Sequence, residues 1–218
     1  YICILYYGYI YTGTITGTNE ASGSCNLCTH GKFKALLGAQ ACIDCPTNSD
    51  SLEGSDDASD CLCDIAHTGM ISGTESAGGS CVGCSSDTFK GVSGPASCKA
   101  CPSHSVSPST SASAEDCICV AGFAGVVTGS TTATGVCSSC PESTFKASVS
   151  QEPCTPCPLH SDSPGQSDAA SDCLCLAGFE GTITGSATAA GACTACTASM
   201  FKATTGTDLC IACPSNSN

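Results

Sequence analysis

The stretch CPESTFKASVSQEPCTPCPLHS at residues 140–161, followed eleven residues later by CLCLAGF at residues 173–179, decides how the chain is built. It sets out Cys140, Cys154, Cys157, Cys173 and Cys175. Moved back by 56 residues, the same frame falls on Cys84, Cys98, Cys101, Cys117 and Cys119. Moved back again, it falls on Cys28, Cys42, Cys45, Cys61 and Cys63, and forward on Cys196, Cys210 and Cys213. Cys25, Cys81, Cys137 and Cys193 keep the same register, so a unit reads C-x13-C-x2-C-x15-C-x-C-x17-C. Self-similarity at a fixed period is the mark of a repeat architecture, in which each unit is one small supersecondary element. The repeats span 28–83, 84–139 and 140–195, flanked by a divergent leading piece, 1–27, and a truncated fourth repeat, 196–218. Both ends fall inside a unit, so the sequence reads as a window on a longer array.

Composition supports this reading. The 218 residues hold 23 Cys but no Trp, six Phe and two Met. Large apolar side chains contribute roughly 1.5 to 3 kcal/mol each on burial, and these are too few to hold one globule. Cysteine at this density marks a disulfide scaffold, and disulfides persist outside the cytosol, so an extracellular or cell-surface location is expected. The net charge is −13, with six Lys and no Arg. Phosphate neutralisation needs clustered positive charge, which excludes a nucleic-acid partner. No segment approaches the roughly 20 apolar residues that span a bilayer.

Other columns share the register. Phe33-Lys34 recurs as Phe89-Lys90, Phe145-Lys146 and Phe201-Lys202, while Phe123 and Phe179 occupy a Gly-Phe step. Pro46, Pro102, Pro158 and Pro214 each follow a Cys, with Ser49, Ser105, Ser161 and Ser217 three residues on. Apolar periodicity at helical spacing is absent, and Gly-flanked stretches such as Thr182-Ile183-Thr184 read as brief strands. The expected fold is small and disulfide-rich: a linear array of EGF-like modules made of short β-hairpins with almost no helix. All six Phe are expected to pack the repeats. The Lys either lays its methylenes beside the cysteine cluster or forms the contact between successive units.

The FK step, the CP..S step and the C-x-C-x-x-GF step together resemble the cysteine-rich, EGF-like repeat of ephrin receptors. Similar repeats occur in long arrays on protist and algal surface and filament proteins. The resemblance covers residues 25–218 and is weakest at Ala66-His67, which replaces Gly-Phe, and in the Tyr-rich N-terminus. Six cysteines allow 15 pairings, and sequence alone does not choose among them. The family connectivity implies first to third, second to fourth and fifth to sixth. It would pair Cys28-Cys45, Cys42-Cys61, Cys63-Cys81, Cys84-Cys101, Cys98-Cys117, Cys119-Cys137, Cys140-Cys157, Cys154-Cys173, Cys175-Cys193 and Cys196-Cys213, with Cys3-Cys25 in the leading piece. Cys210 would be left unpaired by truncation. Each such loop is worth roughly 3 kcal/mol in the chain-entropy model.

Rival chemistries are weighed against the same columns. Cys25-x2-Cys28-x13-Cys42-x2-Cys45 has four-thiolate zinc spacing, but a zinc site would leave the C-x-C pair unused. A C-x-x-C redox motif needs a βαβ context that is missing here. His104 and His160 align with Asn48 and Asn216, and Asn is no nitrogen ligand for zinc, so the column reads as turn chemistry. His30 and His67 stand alone. The acidic loop 50–60 lacks calcium-loop spacing, and Asp60, Asp116 and Asp172 read as turn formers. No nucleophile with an activating base stands apart from the repeat background, so neither enzyme activity nor a cofactor is expected.

Two surface features remain. Ser105, Ser107, Ser109, Thr110, Thr128, Thr131, Thr132, Thr182 and Thr184 are candidate O-glycan acceptors, while N-glycosylation would rest on Asn26-Leu27-Cys28. Tyr6, Tyr7, Tyr9 and Tyr11 form a β-prone run that could pair with another chain, making self-association the expected partnership. The function expected is a structural rod or filament, such as a surface fibre, flagellar hair or adhesive stalk. The alternative is the stalk of a cell-surface receptor or surface antigen.

Overall fold

The computed structural model describes residues 11–13 and 23–215. Within them the chain consists of two-stranded antiparallel sheets and three single 3-10 turns, as the disulfide-rich, hairpin-based reading expects. Two compact units are present, and the division runs through the second repeat. The first holds residues up to Ala100 with Ser107–Asp116 and Gly129–Thr132. The second holds Cys101–Val106, Cys117–Thr128 and residues from Ala133 onward.

The first unit contains one full repeat. Lys32–Phe33 pairs with Ile43–Asp44, Ser49–Asp50 with Leu62–Cys63, and His67–Ser72 with Gly78–Gly83. A 3-10 turn at Ala58–Asp60 separates the strands of the second hairpin. Its N-cap Asp57 accepts the Ser59 N–H at 2.7 Å, satisfying an end that would otherwise be orphaned. In the second unit Thr144–Phe145 pairs with Thr155–Pro156, Ser161–Asp162 with Leu174–Cys175, and Phe179–Glu180 with Thr194–Ala195.

Strands of two residues cannot hold a fold by their ladders, so the core of each repeat is a knot of sulfur around one ring. In the first unit Phe33, Ala58, Cys61, Cys63, Ile71 and Cys81 pack together. In the second, Phe145, Ala170, Cys173, Cys175, Ile183 and Cys193 make the same cluster. Phe33, Phe89 and Phe145 are at most 2% exposed. Phe201 departs from the expectation at 38% exposed. Phe123 and Phe179 are only half-buried.

The disulfides correct the pairing that the family connectivity implied. Where Cys28-Cys45 and Cys42-Cys61 were expected, Cys28 bonds Cys42 and Cys45 bonds Cys61. Cys84-Cys101 and Cys98-Cys117 give way to Cys84–Cys98 and Cys101–Cys117. Cys140-Cys157 and Cys154-Cys173 give way to Cys140–Cys154 and Cys157–Cys173. Cys196-Cys213 is replaced by Cys196–Cys210, so among the described residues the free thiol is Cys213 rather than Cys210. The bridges Cys63–Cys81, Cys119–Cys137 and Cys175–Cys193 are formed. Cys25 is disulfide-bonded, while Cys3 lies outside the described residues.

The order of the bridges follows the order of the hairpins. In the first hairpin the Cys45 N–H donates to Gly31 O at 2.8 Å, while the Cys28 sulfur bonds Cys42. The second hairpin, with Ser49 opposite Cys63, returns Cys61 to Cys45. Each staple therefore closes its own hairpin, and the sequence separations of 14, 16 and 18 residues recur in that order.

Candidate functional site

The feature the repeats share beyond their cores is the seat of the Phe-Lys lysine. Lys90, Lys146 and Lys202 are 2%, 3% and 6% exposed, which is unusual for a cation with no carboxylate bonded to it. Carbonyl oxygens are their partners. Lys146 Nζ donates to Cys119 at 3.1 Å and Phe123 at 2.8 Å in the preceding repeat, and to Ser150 at 2.6 Å in its own. Lys202 Nζ repeats the set on Cys175 at 3.0 Å, Phe179 at 3.0 Å and Gly206 at 2.5 Å. Lys90 Nζ reaches Cys63 at 3.2 Å, His67 at 2.6 Å and Gly94 at 2.7 Å, with Asp64 O at 3.3 Å as a fourth contact.

Backbone bonds frame the same seat. The amide of Gly122 donates to Lys146 O and that of Cys140 to Gly122 O, both at 2.8 Å. Gly178 and Cys196 do the same around Lys202, and Ala66 and Cys84 around Lys90. Gly122 and Gly178 sit at φ of 76° and 82°, the left-handed region that glycine enters freely, and Ala66 is held at 63°. Burial holds the Lys90 and Lys146 ammonium groups below their ordinary pKa, with the nearby Asp64 pulling Lys90 back up. Burial also lowers Lys34, whose Nζ donates to Gly38 O, the counterpart of Gly94. Of the two readings of this column, the ring packs the cysteine cluster and the lysine joins successive repeats.

The histidine column is turn chemistry with an addition. Asn48, His104 and His160 all adopt φ of 63–64°. His104 also stacks on Phe123 and His160 on Phe179, with centroids 3.9 and 4.0 Å apart and planes within 9°. The stack escaped sequence reading, although both columns change together: the first repeat has Asn48 and His67 where the others have His and Phe. Asn48 Nδ2 donates instead to Cys81 O at 3.4 Å. A second missed column is Ala58, Ala114 and Ala170, each 0% exposed. Their 56-residue spacing was there to be read.

The aspartates before cysteine are turn formers. Asp60, Asp116 and Asp172 each accept two backbone N–H groups from residues three and four back, at 2.8–3.2 Å. Of the candidate glycan acceptors, Ser105 and Ser107 are buried, bonding Pro102 O at 2.7 Å and Thr88 O at 3.4 Å. Buried and bonded in this way, neither hydroxyl is open to a glycan. Ser109, Thr110, Thr128, Thr131, Thr132, Thr182 and Thr184 are exposed. Tyr6, Tyr7 and Tyr9 lie outside the described residues, and Tyr11–Thr12 already pairs with Asn26–Leu27 of its own chain.

An open groove of about 650 Å³ runs along Asp50–Asp56 with Ser59, Asp60, Leu62 and Asp64. Among the described residues no three His, Cys, Asp or Glu side chains converge as metal ligands. Cys28, Cys42 and Cys45, part of the four-thiolate spacing, are consumed in disulfides. No helix among the described residues is long and apolar enough to cross a membrane. Residues 13–61, from Gly13 to the fourth cysteine of the first repeat, match the family model described as tyrosine-protein kinase ephrin type A/B receptor-like. The same cysteine frame recurs every 56 residues and is stapled the same way, so the chain is a cysteine-rich array of repeats, the first of which is similar to that family over residues 13–61.

Proposed function

We propose that this chain is part of an extracellular structural array, a rod or fibre at or beyond a cell surface, and not an enzyme. The observation that carries the reading is the junction. Lys90, Lys146 and Lys202 each tie one repeat to the carbonyls of the one before, with no insertion or deletion between cysteines to vary the step. A repeat protein whose units touch chiefly their neighbours gains length without needing a common core. Disulfide staples of this density suit an oxidising exterior. The seven exposed hydroxyls give the array a surface for O-glycans, and self-association through the Tyr-rich segment would extend it.

Electron microscopy of the native assembly tests the reading. Fibres with an axial spacing that corresponds to whole 56-residue units are expected, and monomeric particles with a compact outline would overturn it. Intact mass before and after chemical deglycosylation tests the glycans, which are discarded if the mass does not fall. The family match favours a second reading, a stalk holding a receptor domain away from the membrane. That reading requires a distinct domain and a transmembrane helix in the full-length protein.

A further inference from the structure

We propose that the end of each repeat carries a receptor for a primary ammonium group, and that Lys90, Lys146 and Lys202 are the plugs that fix one repeat to the next. The stoichiometry points to it. An ammonium has three N–H donors and no acceptor. The second and third joints offer three carbonyls each: that of the C-x-C cysteine, that of the Gly-Phe phenylalanine, and that of the residue four after the lysine.

Chemistry excludes the alternatives. A guanidinium is a planar fork of five donors, mismatched to three oxygens around a point. An apolar side chain of the same length would leave buried carbonyls with a partner fewer, which is the costly way to lose a hydrogen bond. The joint borders the module core, since Lys90 and Lys202 bond the carbonyls of Cys63 and Cys175, cysteines of the two clusters. Two of the three oxygens belong to the preceding repeat, so the plug couples repeats rather than closing one. The inference concerns the joint alone and does not depend on the chain forming fibres or carrying sugar.

Hydrogen exchange on the full chain tests it. In Lys146→Met the amides of Gly122, Cys140 and Ser150, which span the joint, should lose protection by about tenfold or more, while that of Cys173 inside the module stays unchanged. In Lys146→Ala, butylammonium should restore the joint amides and butyltrimethylammonium, which has no N–H, should not. Unchanged joint protection in the methionine variant overturns the proposal, as does loss at Cys173 too, which would make the lysine a core residue. Rescue by both amines or by neither overturns the receptor. Acetylation of the wild type needs no variant: Lys32 and Lys99 should react at least about tenfold faster than the three buried lysines, and equal rates would overturn the plug.

Discussion

The first repeat, in one compact unit, and the third, in the other, solve the same problem with different parts. Both wrap one phenylalanine in alanine and cysteine and staple three hairpins in series. Around that constant core the third hairpin differs. It has six paired rungs from His67–Ser72 to Gly78–Gly83 in the first repeat. The third repeat keeps the register only at the two ends, Phe179–Glu180 with Thr194–Ala195 and the bridge Thr184 to Ala190. The Gly178-Phe179 step and its stack on His160 are replaced in the first repeat by Ala66-His67 and Asn48. The comparison teaches that ring, staples and lysine seat specify the module, while the hairpin and the turn column are free to drift.

If so, truncating the ring should hurt both repeats alike and most severely. Phe33→Ala and Phe145→Ala are each expected to cost about 3 to 5 kcal/mol, the range for deleting a buried phenylalanine. Local hydrogen exchange within the mutated repeat measures it, and a twofold difference between the two would break the equivalence.

Removing a staple comes next. Replacing both Cys45 and Cys61 with Ser, or both Cys157 and Cys173, opens loops of equal length and should cost roughly 3 kcal/mol in either repeat. Peptide mapping of the unreduced protein should recover Cys140 joined to Cys154. Recovery of Cys140 with Cys157 would restore the interlocked pairing and remove the serial-hairpin account.

Backbone strain separates the repeats. Gly178→Ala meets no atom within 4 Å, so its cost is the left-handed conformation alone, about 1 to 2 kcal/mol. Ala66→Gly should change stability by less than about 1 kcal/mol, because relief of strain is offset by losing a buried methyl worth about 0.8 kcal/mol. Gly122→Ala should be worse than either, since its Cβ would lie 2.6 Å from Gln166 O. Urea unfolding of the three variants ranks them.

The smallest effect is the stack. A double-mutant cycle between His160 and Phe179 should return a coupling of about 0.5 to 1.5 kcal/mol. The same cycle between Asn48 and His67 should return close to none, and equal couplings would mean that the stack contributes nothing specific.

The amino-acid sequence by itself determined the period, the hairpin character, the burial of Phe33, Phe89 and Phe145, and the turn roles of His104, His160, Asp60, Asp116 and Asp172. Each follows from local chemistry: left-handed φ at a turn, a carboxylate reaching back to N–H groups three and four residues earlier, an aromatic ring among cysteines. Tertiary structure alone decided the disulfide partners, because the cysteine spacing leaves 15 pairings open and only the folded chain brings particular sulfurs together. It also decided where the lysine ammonium goes. A column of Lys at 56-residue spacing states that the residue recurs; only the folding of one repeat against the next sets three carbonyl oxygens around its tip, and those oxygens belong to backbone whose identity no side chain announces.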